Sequence, residues 1–126
     1  MLKCMRNFEE LRVWQDARLL VNDIYKMTST CKDYAFKDQI QRAAVSIMNN
    51  IAEGSESGSD PLFVRYLKIA KASCGEVRSM LFLCEDLRFC SVDTAISLKN
   101  RAIIISSSIQ KLIEYLNKSN NQESKS

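Results

Sequence analysis

The side chains that could do chemistry are few, and one kind is missing. The sequence has no histidine, which removes the commonest general base, the Ser-His and Cys-His nucleophile pairs and the usual zinc ligand. A carboxylate-bridged di-iron bundle is closed for the same reason, because two of its helices must each offer a Glu-x-x-His pair. The five cysteines stand at 4, 31, 74, 84 and 90, without the close pairs of a thiolate zinc site. Cys74 and Cys84 fall on an apolar helix stripe, where buried structural thiols are expected. The segment GSESGSD (54–60) lacks the lysine and preceding strand of a phosphate-binding loop, and reads as a connection. Glu85 and Asp86 are neighbours in sequence, so on a helix they point to different sides. The expectation is a protein that is not an enzyme, with no catalytic residue, metal or cofactor and no small-molecule substrate. A di-metal or redox enzyme is the weakest of the function classes.

Two residue patterns could serve binding instead. Arg65, Lys68, Lys71 and Arg78 fall within an arc opposite the apolar stripe of their helix, with Glu76 the one acid nearby. Such a row can follow phosphates by charge alone, or it can be a solvated face. No aromatic interleaves with these four, so base stacking is not expected. The second pattern is a polar ridge, Gln39, Arg42, Ser46, Asn50 and Glu53, with a weaker apolar strip, Val45, Met48 and Ala52, beyond it. The ridge reads either as a hydrogen-bonded flank packed on a neighbouring helix or as a subunit contact. In the second case Arg42, Val45, Met48, Asn50 and Ala52 are the oligomer-contact candidates.

These residues must be positioned by helices. With 126 residues, one proline and three glycines, the chain suits one all-α domain of long helices and few turns. Apolar spacing of three and four residues predicts helices over approximately 8–28, 35–53, 61–89 and 92–118. Asn7 with Glu10 suggests a capping box, Gly54 a helix end, and Asp60 followed by Pro61 a helix start. Ala95, Leu98, Ala102, Ile105, Ile109, Leu112 and Leu116 form a heptad seam. Small residues at Ala43, Ala44, Ala70, Ser73 and Gly75 place the closest approach between the second and third helices. Short connections then favour an antiparallel up-down-up-down four-helix bundle over residues 1–118, followed by a polar, disordered tail at 119–126.

The net charge of +3 permits a polyanionic partner without demanding one. No apolar run approaches the ~20 residues of a membrane span. The opening MLKCMRNFEEL does not have the pattern of a secretory signal, and the unpaired cysteine spacing fits reduced thiols. A cytoplasmic location is expected.

Three blocks together resemble a known bacterial family. QIQRAAVSIMNNIAEG (39–54) is similar to the signature of the four-helix bundle proteins called 23S ribosomal RNA intervening-sequence proteins. FEELRVWQDARLLVNDIY (8–25) resembles that family's opening, and RYLKIAKASCGEVRSMLFLCEDL (65–87) its third helix, with Ser73 and Glu76 in place. The likeness runs from Phe8 to Leu116. It implies a relation to the accessory proteins of diversity-generating retroelements, where a basic homopentameric barrel binds nucleic acid and a reverse transcriptase. A pentamer is the assembly so implied. Arg42, Ser46, Asn50, Glu53 and Gly54 match family-signature positions whose role the resemblance leaves open. Two departures stand out: the charge is only +3, and TSTCKDYAFKDQI lacks a proline between the first two helices.

The leading expectation is a non-catalytic, oligomeric, nucleic-acid-associated protein that touches structured RNA through backbone charge. The alternative is a homo-oligomeric protein-interaction scaffold with no nucleic-acid role. Its partners would be itself, RNA or other nucleic acid, or another protein, with no membrane.

Overall fold

The computed structural model describes residues 7–125, with side chains described through residue 119. A 3-10 turn at Phe8–Glu10 leads into helices α1 (Arg12–Thr28), α2 (Tyr34–Glu56), α3 (Asp60–Asp86) and α4 (Val92–Lys125). Each helix packs on the next, and α4 returns to α1, which closes a four-helix bundle. The α1–α4 seam is the thinnest of the four. The short connections make neighbours antiparallel.

Local chemistry accounts for most boundaries. Asp33 caps α2 by accepting from the Phe36 N–H at 3.1 Å, and Ser91 caps α4 by accepting from the Thr94 N–H at 3.1 Å. Ser59, one residue ahead of the expected Asp60, caps α3 by accepting from the Leu62 N–H at 3.2 Å. Asp60 and Pro61 then occupy the first turn, where a missing N–H costs nothing and an acid suits the helix dipole. At the other end of α3, Arg88 turns left-handed at φ 58°. Phe89 N–H bonds back to Cys84 O and Arg88 N–H to Glu85 O, the six-to-one and five-to-two pair of a Schellman ending.

Several expectations need correction. Asn7 makes no capping bond: its residue leads into the 3-10 turn, and α1 starts after an extended Leu11. Burial of Leu11 and the edge-on packing of Phe8 against Trp14 at 5.0 Å outweigh a cap at that point. In α1 the buried line is Val13, Trp14, Ala17, Leu20 and Ile24, while Val21 and Met27 are half-buried. Thr28 ends that line, fully buried. Its hydroxyl donates to Ile24 O at 2.8 Å and accepts from Gln41 Nε2 at 3.0 Å, so its burial is satisfied. Gly54 does not end α2, which continues to Glu56 and turns at Gly58, φ 80°. Finally, α4 runs past 118 to Lys125, so 119–125 is helix and not the expected disordered tail. That stretch holds neither glycine nor proline to stop a helix.

Elsewhere the core follows the sequence pattern, except that on α4 the seam position Leu112 is only half-buried and its neighbour Ile113 is buried in its place. Ile40, Ile47 and Ile51 of α2, Leu67, Val77 and Leu81 of α3, and Ile109 and Leu116 of α4 are fully buried. Leu87 falls beyond the end of α3 and is exposed. Gly54 is buried because α3 comes so close there: an added Cβ would lie 2.9 Å from Tyr66 Cβ. Gly75, expected at the same contact, has nothing within 4 Å of such a Cβ.

Candidate nucleic-acid interface

Arg65, Lys68, Lys71 and Arg78 are all exposed on α3, but they do not form one line. At 100° per residue they fan across roughly 140° of the helix. Arg65 points away from the bundle, whereas Lys71 and Arg78 lie on the flank that meets α4. Lys71 Nζ donates to Gln110 Oε1 at 2.9 Å, which fixes that direction. Gln39 Nε2 reaches Glu76 Oε2 at 3.4 Å, so this acid is engaged on the α2 side, away from Lys71 and Arg78.

The α3–α4 flank holds residues that the sequence pattern did not single out. Phe82 follows Arg78 by four residues, so the two share a face. It is exposed, as are Ile96 and Ile103 of α4. Lys99 crosses between the helices, its Nζ 3.8 Å from the Phe82 ring centroid and 3.1 Å from Glu85 Oε1. The signal was present at 71, 78 and 82, where a basic row at heptad spacing continues into an aromatic. A register that begins at Arg65 hides it.

The proposed oligomer contacts on α2 are split between two flanks. Asn50 Nδ2 donates to Ser46 O at 2.8 Å and Ser46 Oγ at 3.0 Å, and Ser73 of α3 donates to Ser46 Oγ at 2.9 Å. The ridge is therefore largely a hydrogen-bonded flank against α3. Met48 and Ala52 are half-buried against the bundle's own core, on the flank where Gln41 reaches Thr28. Val45 is half-buried too, and Arg42 is exposed in an i,i+4 pair with Asp38 at 2.8 Å. The second apolar strip is thus mostly used inside the chain. Larger exposed apolar side chains lie elsewhere, with Leu19 and Ile104 lining a cleft of about 210 Å³ between α1 and α4 beside Asp16 and Arg101.

The thiols are structural in their surroundings. Burial pushes Cys74 up to about 12, against a small opposing pull from Arg78. Burial, reinforced by the neighbouring Cys90 and Cys31, pushes Cys84 up to about 12 as well. Neither has the thiolate character of a nucleophile. Cys4 lies outside the described residues. Among the described residues, no group of three or more His, Cys, Asp or Glu side chains is placed to hold a metal ion. No helix among them is long and apolar enough to cross a membrane.

Residues 9–111 match the family described as 23S rRNA-intervening sequence protein. The chain belongs to that family. Its fold is also that of a crystal structure from Bacteroides thetaiotaomicron, described as a protein of unknown function from the S23 ribosomal protein family. The two superpose with a TM-score of 0.75 at 24% identity, over 80% of this chain and 97% of the other. No curated protein matches. The family match spans α1 to α3 and most of α4, so the bundle and its α3–α4 flank lie inside the shared domain.

Proposed function

We propose that this member of the 23S rRNA-intervening sequence family is a non-catalytic protein that associates with structured RNA through backbone charge. The observation that supports it best is the exposure of all four candidate cations, Arg65, Lys68, Lys71 and Arg78, on one long helix. The family's description, 23S rRNA-intervening sequence protein, is a second and weaker support. A charge of +3 per chain is modest, and assembly would multiply it to roughly +15 in a pentamer of the kind the retroelement resemblance implies. Lysine and arginine on phosphates carry no base information, so this contact is weakly sequence-specific. The deep, narrow major groove of an RNA helix excludes α3, which leaves shape and backbone contacts for paired regions. Replacing Lys68 and Lys71 together by alanine should weaken binding to an RNA hairpin and flatten its salt dependence. Unchanged affinity and slope in that variant would make the row a solvated face.

A homo-oligomeric scaffold that binds another protein is the second reading. The exposed Leu19, Ile104 and Tyr115 favour it. Light scattering that reports a monomer at micromolar concentration would remove its basis.

A further inference from the structure

We propose that the α3–α4 flank around Phe82 stacks an unpaired RNA base, while Lys71 and Arg78 hold the phosphates beside it. The inference rests on the RNA reading above and names the part of a structured RNA that is recognised: the unpaired nucleotides of a loop or bulge.

Positions 71, 75, 78 and 82 follow one another at four, three and four residues, a straight row along one flank of a helix. They hold Lys71, Gly75, Arg78 and Phe82. Phe82 is 55% exposed, although it sits on a helix with a filled core behind it. One face of the ring meets the Lys99 ammonium at 3.8 Å. Lys99 is itself only 12% exposed and held by Glu85 at 3.1 Å, so the contact orients the ring against a fixed partner. The remaining exposed ring surface is open to solvent, a platform on which any base can stack. Ile103, 45% exposed, continues the apolar surface on α4.

Gly75 supplies a second, independent observation. It lies in the middle of a 27-residue helix, where glycine is roughly 0.5–1 kcal/mol worse than alanine. Gly54 owes its place to a close approach of α3, but at Gly75 no atom stands within 4 Å of where a Cβ would be. Nothing in the bundle uses the missing side chain. It leaves the helix surface bare between the two cations, which are about 10 Å apart along the helix axis. That distance suits a strand crossing the flank rather than a single phosphate group.

Charge favours a polyanion over an apolar protein partner. Arg78 forms no ion pair among the described residues, and Lys71 touches only a neutral amide. Of the acids on this flank, Glu85 is neutralised by Lys99; Glu114 keeps its charge while accepting from Gln110, the amide that Lys71 also touches, and Asp86 lies one turn beyond Phe82 at the end of the row.

The test uses fluorescence anisotropy at low salt with two labelled probes of equal length, a single-stranded RNA and a fully paired RNA duplex. Phe82→Ala should weaken single-strand binding by roughly 5- to 100-fold, the affinity carried by one stacked base. Duplex binding and the salt slope should stay as in wild type. Phe82→Trp should keep the affinity, and its added fluorescence should be quenched by the single strand. Equal affinity of Phe82→Ala and wild type for the single strand would overturn the stacking site while leaving the RNA reading standing. Equal losses on both probes would also overturn it. A wild type that binds neither probe would overturn the RNA reading and this inference with it. Loss of oligomer in Phe82→Ala with RNA binding intact would assign the patch to protein contact.

Discussion

Replacing Gly54 by alanine puts a new Cβ 2.8 Å from Cδ1 of Phe63, 2.9 Å from Cβ of Tyr66 and 3.3 Å from Phe63 O. The Phe63 ring can rotate away, but the Tyr66 Cβ is fixed to the α3 backbone. Ordinary contact begins near 3.4 Å, so α2 and α3 must part by about 0.5 Å (3.4 less 2.9) where their backbones meet. Overpacking of this kind costs typically 1–3 kcal/mol, and two contacts below 3.0 Å place it in the upper part of that range. The better helix propensity of alanine returns about 1 kcal/mol. The net expectation is a loss of about 1–2 kcal/mol, read as a lower urea midpoint at constant slope by circular dichroism. Gly75→Ala is the matched control: with open space around the new methyl, it should gain about 0.5–1 kcal/mol. The two glycines should therefore move stability in opposite directions. If both variants shift the midpoint the same way, or Gly54→Ala is as stable as wild type, the close α2–α3 crossing is wrong.

Further outcomes follow from the same packing. Ile109, fully buried at the α4 seam, should cost about 2–5 kcal/mol when cut to alanine; a change of a few tenths in urea melts would mean the seam faces solvent. Arg88→Gly should raise stability by about 0.5–1 kcal/mol, since φ 58° strains an L side chain but not glycine; a lower thermal midpoint would contradict it. Cys74 and Cys84 keep their protons in the folded chain up to about 12, from an ordinary 9.0. Their contribution is fully present below about pH 9 and is lost as pH rises towards 12, at up to about 1.4 kcal/mol per pH unit for each thiol. Denaturant melts between pH 8 and pH 11 should show that decline, and the Cys74→Ala, Cys84→Ala variant should flatten it; identical slopes would place the thiols in water.

The bundle was legible because its apolar residues repeat with the helical period and almost nothing in the chain can break a helix. Ile40, Ala43, Ala44, Ile47 and Ile51 are buried as their spacing requires. Ends were harder. Gly54 looks like a stop signal in sequence, yet its missing Cβ answers to Phe63 and Tyr66 across the α2–α3 crossing, a contact no local pattern encodes. The polar ridge on α2 was visible, and whether Ser46 and Asn50 face a subunit or Ser73 depends on how α3 lies beside them. The candidate interface shows the same limit. Arg78 and Phe82 share a face by spacing alone, while the partnership of Phe82 with Lys99 of α4 needs the α3–α4 packing to bring the two together.

The central claim, RNA association through the α3 cations, is tested most directly by anisotropy titration of a labelled RNA hairpin with the wild-type protein across about 50–200 mM salt. Three or four phosphate contacts predict binding at the low end and a log–log slope of roughly −2 to −4. Replacement of Lys68 and Lys71 by alanine should make that slope shallower by about 1–2. Absence of binding at the lowest salt, or a slope that the double variant leaves unchanged, would contradict the account.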